Sequence, residues 1–99
     1  MVTTSRSVFV GATPVQLVDY VKNRTSLALF NTSGTGIVYL GSDRSVNIVN
    51  GFLFETQTGL QFNKGLGDRP DLEIWATASG GVADVRIWES FEEEEEEEI

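Results

Sequence analysis

The chain has 99 residues, 40% of them apolar, a formal net charge of -8, and neither cysteine nor histidine. The two missing residue types exclude Ser-His-Asp and Cys-His nucleophile arrangements, disulfide frameworks, thiol redox chemistry and Cys/His zinc sites. Seven consecutive glutamates, Glu92 to Glu98, account for nearly all of the charge, so the body ahead of them is close to neutral.

This division predicts one small domain over residues 1–91 and an acidic tail over 92–99. A body of this size buries only roughly two-thirds of the surface its unfolded chain exposes, so burial against a second copy is an effective source of stability. The start Met1-Val2-Thr3-Thr4-Ser5-Arg6 lacks the basic segment and apolar core of a secretory signal, and no apolar run approaches the ~20 residues needed to span a bilayer. A soluble product made inside a cell, with no membrane partner, is the expectation, and the sequons at Asn23 and Asn31 then read as chance. Seven Lys and Arg are scattered singly, with no basic stripe for a phosphate backbone, so no nucleic-acid partner is expected either.

In chain order, short apolar or alternating runs recur at roughly ten-residue intervals between turn residues, the mark of a sandwich or barrel. Strands are expected near Ser7–Val10, Val15–Tyr20, Ser26–Asn31, Gly36–Leu40, Val46–Val49, Phe52–Phe54, Leu60–Phe62, Leu72–Thr77 and Ala83–Trp88. Thr13-Pro14-Val15-Gln16 also has the form of a capping box with proline at the first helical position, but Val15, Val18 and Val21 favour strand. Leu27-Ala28-Leu29-Phe30 and Ile37-Val38-Tyr39-Leu40 are apolar on both faces, as central strands or strands facing a neighbouring subunit are. Asn50-Gly51, between Ile48-Val49 and Phe52-Leu53-Phe54, has the residues of a type I′ hairpin turn. The fold class is all-β: a compact antiparallel β-sandwich or jelly-roll-like barrel of about eight short strands.

The last two strands hold the candidate partner-binding residues. Strand alternation puts Leu72, Ile74 and Ala76 on one face and Glu73, Trp75 and Thr77 on the other; it likewise separates Val85 and Ile87 from Asp84, Arg86 and Trp88. If these strands pair as a hairpin, Trp75 lies opposite Arg86 and Glu73 opposite Trp88. A guanidinium can then sit over an indole, and Glu73, Trp75, Arg86 and Trp88 form an interface patch. The alternative is that the domain covers both faces itself, for instance with a flap over the outer one.

Other chemistry finds little support. Asp68-Arg69-Pro70-Asp71 with Glu73 lacks the dozen-residue frame of a calcium loop and reads as a turn with a local ion pair. Gly34-Thr35-Gly36 and Gly65-Leu66-Gly67 lack the helix that a phosphate-binding glycine loop needs. No catalytic, cofactor-binding or metal-binding residue is assigned. The glutamate run reads as a solvated tail, with docking on a basic partner surface as its functional alternative.

Arg24-Thr25-Ser26-Leu27-Ala28-Leu29-Phe30-Asn31, Val38-Tyr39-Leu40-Gly41, Asn50-Gly51-Phe52-Leu53, Ile74-Trp75-Ala76-Thr77-Ala78 and Ala83-Asp84-Val85-Arg86-Ile87-Trp88-Glu89 together form a pattern that resembles small structural proteins of tailed bacteriophages. The resemblance spans Thr13 to Glu89 and excludes the acidic tail. It implies a non-enzymatic virion component, a head-decoration or cement protein assembled in the host cytoplasm. Such a protein binds the major capsid protein on the outer capsid surface and associates with itself, often as a trimer. The rival readings are a carbohydrate-binding module of a tail or baseplate, stacking sugars on Trp75, Trp88 or Tyr39, and a small hydrolase using Asp68, Asp71 or Glu73.

Overall fold

The computed structural model describes residues 2–92. Eight strands follow in chain order: β1 (Val2–Val10), β2 (Val15–Val18), β3 (Arg24–Asn31), β4 (Ile37–Gly41), β5 (Phe52–Phe54), β6 (Gly59–Asn63), β7 (Ile74–Ser79) and β8 (Ala83–Phe91). They form two four-stranded sheets, ordered β1-β8-β3-β6 and β2-β7-β4-β5, and every ladder is antiparallel. The pairs β1·β8, β2·β7, β3·β6 and β4·β5 nest inside one another, as they do when one long hairpin is rolled into two layers. That is the strand order of a jelly roll. No ladder joins the two sheets among the described residues, so the barrel alternative does not close and the fold is a sandwich.

The core follows from strand alternation. Leu27 and Leu29 of β3 and Val85 and Ile87 of β8 point inward from one sheet, and meet Val38 and Leu40 of β4 and Ala76 and Ala78 of β7 from the other. β3 and β4 are interior strands, as their two-sided apolar character suggested. Phe30, on the outer side of β3, nevertheless stays exposed.

Three expectations are corrected. First, Val46–Val49 forms no strand. Side chains take over its backbone groups: Asn47 Oδ1 accepts from the Val49 and Asn50 amides, and Asn50 Oδ1 accepts from the Asn47 amide, at 2.8–3.0 Å. Asparagine competing with the sheet ladder in this way favours a turn. Gly51 is therefore not part of a type I′ hairpin and has no positive φ. Glycine is needed there for closeness, since a Cβ at position 51 would lie 2.5 Å from Tyr39 Cβ.

Second, β1 starts at Val2 instead of Ser7, because Val2–Arg6 pairs in unbroken register with Ile87–Phe91. Third, β7 and β8 are not a hairpin: β7 pairs with β2 and β4, and β8 with β1 and β3. Gly80 and Gly81, with φ of 80° and 127°, carry the chain across from one sheet to the other. Only glycine adopts such angles without strain.

At one end of the sandwich a charged cluster joins the layers. Arg24 and Glu89 are 1% and 2% exposed, with Arg24 Nε donating to Glu89 Oε2 at 2.8 Å. Arg6 pairs with the other Glu89 oxygen and donates to the Leu17 carbonyl of the opposite sheet at 2.6 Å. Arg24 also donates to the carbonyls of Pro70 at 2.9 Å and Asp19 at 2.8 Å. A buried charge is tolerated only when its hydrogen-bonding groups are satisfied, and no buried side-chain nitrogen or oxygen lacks a partner among the described residues. The glutamate run begins at Glu92, whose amide donates to the Asn23 carbonyl at 2.8 Å; the rest of the expected tail, 93–99, lies outside the described residues.

Candidate functional site

The expected patch of Glu73, Trp75, Arg86 and Trp88 does not assemble. Because β7 and β8 belong to different sheets, Glu73 and Trp75 lie on the outer face of one layer, and Arg86 and Trp88 on the outer face of the other. The two pairs are on opposite sides of the sandwich. The expected Trp75–Arg86 contact is replaced on each side by a local one.

On the β2-β7-β4-β5 side, Trp75 is half-buried and its Nε1 donates to Glu73 Oε2 at 2.9 Å. Gln16, its register partner on β2, donates to the same oxygen at 3.1 Å. The Arg44 guanidinium lies 5.9 Å from the indole centroid, within cation–π range. Arg44 belongs to the segment 42–51, which folds over this face and buries Val46 against Gly41. From the other direction the β1–β2 connection packs on Thr77, whose hydroxyl donates to the Ala12 carbonyl at 3.0 Å. The chain itself thus supplies a flap for this face.

No such cover exists on the β1-β8-β3-β6 side among the described residues. Its outer face can be read from the register: Ser7, Arg86, Phe30 and Gly59 form one row across the four strands, and Ser5, Trp88, Ala28 and Gln61 the next. Trp88 stands between two small neighbours and is 61% exposed; Phe9 and Phe30 are 67% and 42% exposed on the same face. Monomeric soluble proteins seldom leave several large aromatics in one patch, and such patches mark contact surfaces. Around Arg86 and Trp88 lies an open hollow of about 420 Å³ floored by Ser5, Ser7, Ala28 and Phe30. Arg86 donates from Nη2 to Asp84 Oδ2 at 3.1 Å, a bond that raises its pKa, and its backbone is paired with that of Phe30.

The remaining candidates stay apart from this face. Arg69 and Asp71 make the expected local ion pair at 3.0 Å. Among the described residues no three of His, Cys, Asp and Glu are grouped so as to hold a metal ion, and no helix is long and apolar enough to cross a membrane. The Asn31 sequon is spent internally, its buried amide donating to the Gly36 carbonyl at 2.9 Å.

Sequence reasoning missed Phe9 and Phe30 as members of the exposed face. The signal was available for Phe30, which has the opposite alternation parity to Leu27 and Leu29. The fold and site thus define a jelly-roll sandwich with one self-covered face and one aromatic face that is bare among the described residues. Comparison with known proteins finds no matching family model, no matching characterised protein and no matching solved structure.

Proposed function

We propose that this chain is a non-enzymatic virion structural protein of the head-decoration type. It binds the major capsid protein on the outer surface of an assembled capsid through the bare β1-β8-β3-β6 face, and it associates with itself. The observation that carries the reading is that Trp88, Phe9 and Phe30 are all exposed on the outer face that no described residue covers. Tryptophan and arginine are frequent anchors of buried contacts, and Arg86 stands in the next row. The resemblance to small tailed-phage structural proteins supplies the setting: the outer surface of a head, where many weak copies act together by multivalency. The trimer it implies belongs to this reading. Trp75, under the flap, and Glu73, bonded to Trp75 and Gln16, are not assigned to the contact.

Cosedimentation with expanded capsids tests the proposal. Wild type and Trp75→Ser should pellet with capsids, and Trp88→Ser should remain in the supernatant. Equal pelleting of both variants, or none by wild type, would count against it.

A second reading has one observation in its favour. The Trp88 ring projects between Ser5 and Ala28 beside a hollow that also presents Ser7 and Arg86, an arrangement suited to stacking a sugar ring and bonding its hydroxyls. A glycan array followed by Trp88 fluorescence quenching, in a Trp75→Phe background, separates the two readings: saturable quenching by a glycan selects this one.

A further inference from the structure

We infer that the free edge of β1 pairs antiparallel with the same edge of a second copy, across a twofold axis at Ser5. The inference stands on the edge itself and is independent of the proposed virion role.

The sandwich has four edge strands, β1 and β6 in one sheet and β2 and β5 in the other. An uncovered edge is a template for pairing, and proteins guard it with short strands, proline, charged side chains, inward-pointing charges, bulges or a cover. Three edges are guarded. β5 has three residues; β2 has four, follows Pro14 and breaks register between Gln16 and Val18. β6 has five, begins at Gly59 and runs directly into a 3-10 turn at Lys64. β1 is the exception: nine residues, Val2–Val10, with no glycine, proline or lysine and no break in register against β8, and with its one charge, Arg6, turned inward and tied to Glu89.

Nothing among the described residues covers this edge from Val2 to Ser7. Val2 through Ser7 are exposed, and none of the backbone hydrogen bonds made outside the ladders uses a β1 group. In an antiparallel ladder every second residue turns its N–H and C=O away from the neighbour, so over Val2–Ser7 β1 presents backbone groups with no partner among the described residues.

The residues of β1 select a copy of themselves as the occupant. Antiparallel pairing centred on Ser5 sets Ser5 against Ser5, Thr3 against Ser7, Thr4 against Arg6 and Val2 against Val8. On the outer side the row is all small hydroxyls, and Thr–Ser pairs are favourable cross-strand neighbours. On the inner side Arg6, the one charge in β1, meets threonine instead of its own copy. Arg6 is already paired with Glu89 and bonded to the Leu17 carbonyl, so its guanidinium is engaged within its own chain. The contact is isologous and closes with two copies. Because Trp88 is the register partner of Ser5, the two Trp88 side chains would share one row. Three strand spacings, about 14 Å, would separate them on a face of doubled width. A twofold pair differs from the trimer implied by the phage resemblance, so mass alone distinguishes them.

The chain has no cysteine, so a single introduced thiol reports its own position. Directly opposed residues of an antiparallel pair have Cα atoms about 4.5–5.5 Å apart, within disulfide reach. Under mild oxidation full-length Ser5→Cys should become a covalent dimer at least about tenfold faster than Gln61→Cys, placed on the β6 edge as a reference, since pairing raises the effective thiol concentration. Light scattering over a concentration series should show wild type passing from monomer to dimer. Ser5→Lys, with like charges on the axis, should remain monomeric at the same concentrations and melt where wild type melts when diluted to monomer. Equal crosslinking of the two cysteine variants would overturn the inference. So would a wild-type mass that stays monomeric or becomes trimeric, or a dimer that survives Ser5→Lys.

Discussion

The two outer faces of this sandwich are made alike and finished differently. Each carries a tryptophan at an outward position of a central strand, Trp75 on β7 and Trp88 on β8. Trp75 is enclosed by its own chain: Glu73 takes its N–H, Arg44 lies over its ring, and segment 42–51 crosses the face. Trp88 is flanked by Ser5 and Ala28, with no described residue over it. An outward aromatic is thus not by itself a contact residue. What decides is whether a loop elsewhere in the chain reaches it. On that ground stability should reside with Trp75 and docking with Trp88.

The largest effect that can disturb both faces at once comes from the cluster that ties the layers together. Glu89→Ala leaves Arg24 buried without its carboxylate and should cost about 3–5 kcal/mol, read as a lowered urea midpoint. Arg6, partly exposed, can reach water and should contribute much less. Breaking the covered face alone calls for Gly41→Ala. Its Cβ would fall 2.6 Å from Val46 Cβ, so the flap must lift, at a cost of about 1–3 kcal/mol, with Trp75 emission shifting to the red. Trp75→Ser should cost about 1–2 kcal/mol, since the lost ring is half-buried. Trp88→Ser should stay within about 0.5 kcal/mol of wild type while losing capsid binding.

The smallest effect is acidic. Hydrogen bonds from the Ser45 side chain and amide hold the Asp43 carboxyl below its ordinary pKa, and the Arg69 guanidinium does the same to Asp71. A folded-state pKa below the unfolded value stabilises above that unfolded value, roughly 3.9, and the gain is lost as pH falls through the lower folded value. Both carboxyls are near the surface, so acidification should loosen only the turns at 43–45 and 69–71. Carboxyl chemical shifts titrating below ~3.9 would register this, and ordinary titration at both positions would contradict it.

Much of the fold was legible because alternation is local. The inward parity of Val85 and Ile87 placed Arg86 and Trp88 outside, and the two-sided apolar runs in β3 and β4 identified interior strands. What failed was pairing. Neighbouring strands usually pair, so the Ser79-Gly80-Gly81 turn reads as a hairpin, whereas here it crosses between sheets. That single difference separated Glu73 and Trp75 from Arg86 and Trp88. The Arg24–Glu89 pair was out of reach for a related reason. Glu89 shares the inward parity of Ile87, but Arg24 faces inward only because register shifts between Arg24 and Ser26, which no local pattern announces. Val46–Val49 misled because its apolar content outweighs, in a pattern, the asparagine side chains that bend it.

The contrast between the faces is tested most directly by melting Trp75→Ser and Trp88→Ser side by side with wild type. Trp75→Ser should lose about 5–15 °C, and Trp88→Ser should stay within about 3 °C of wild type. A Trp88→Ser protein that melts as low as Trp75→Ser, or lower, would mean that the bare face is part of the domain's own packing and would contradict the assignment.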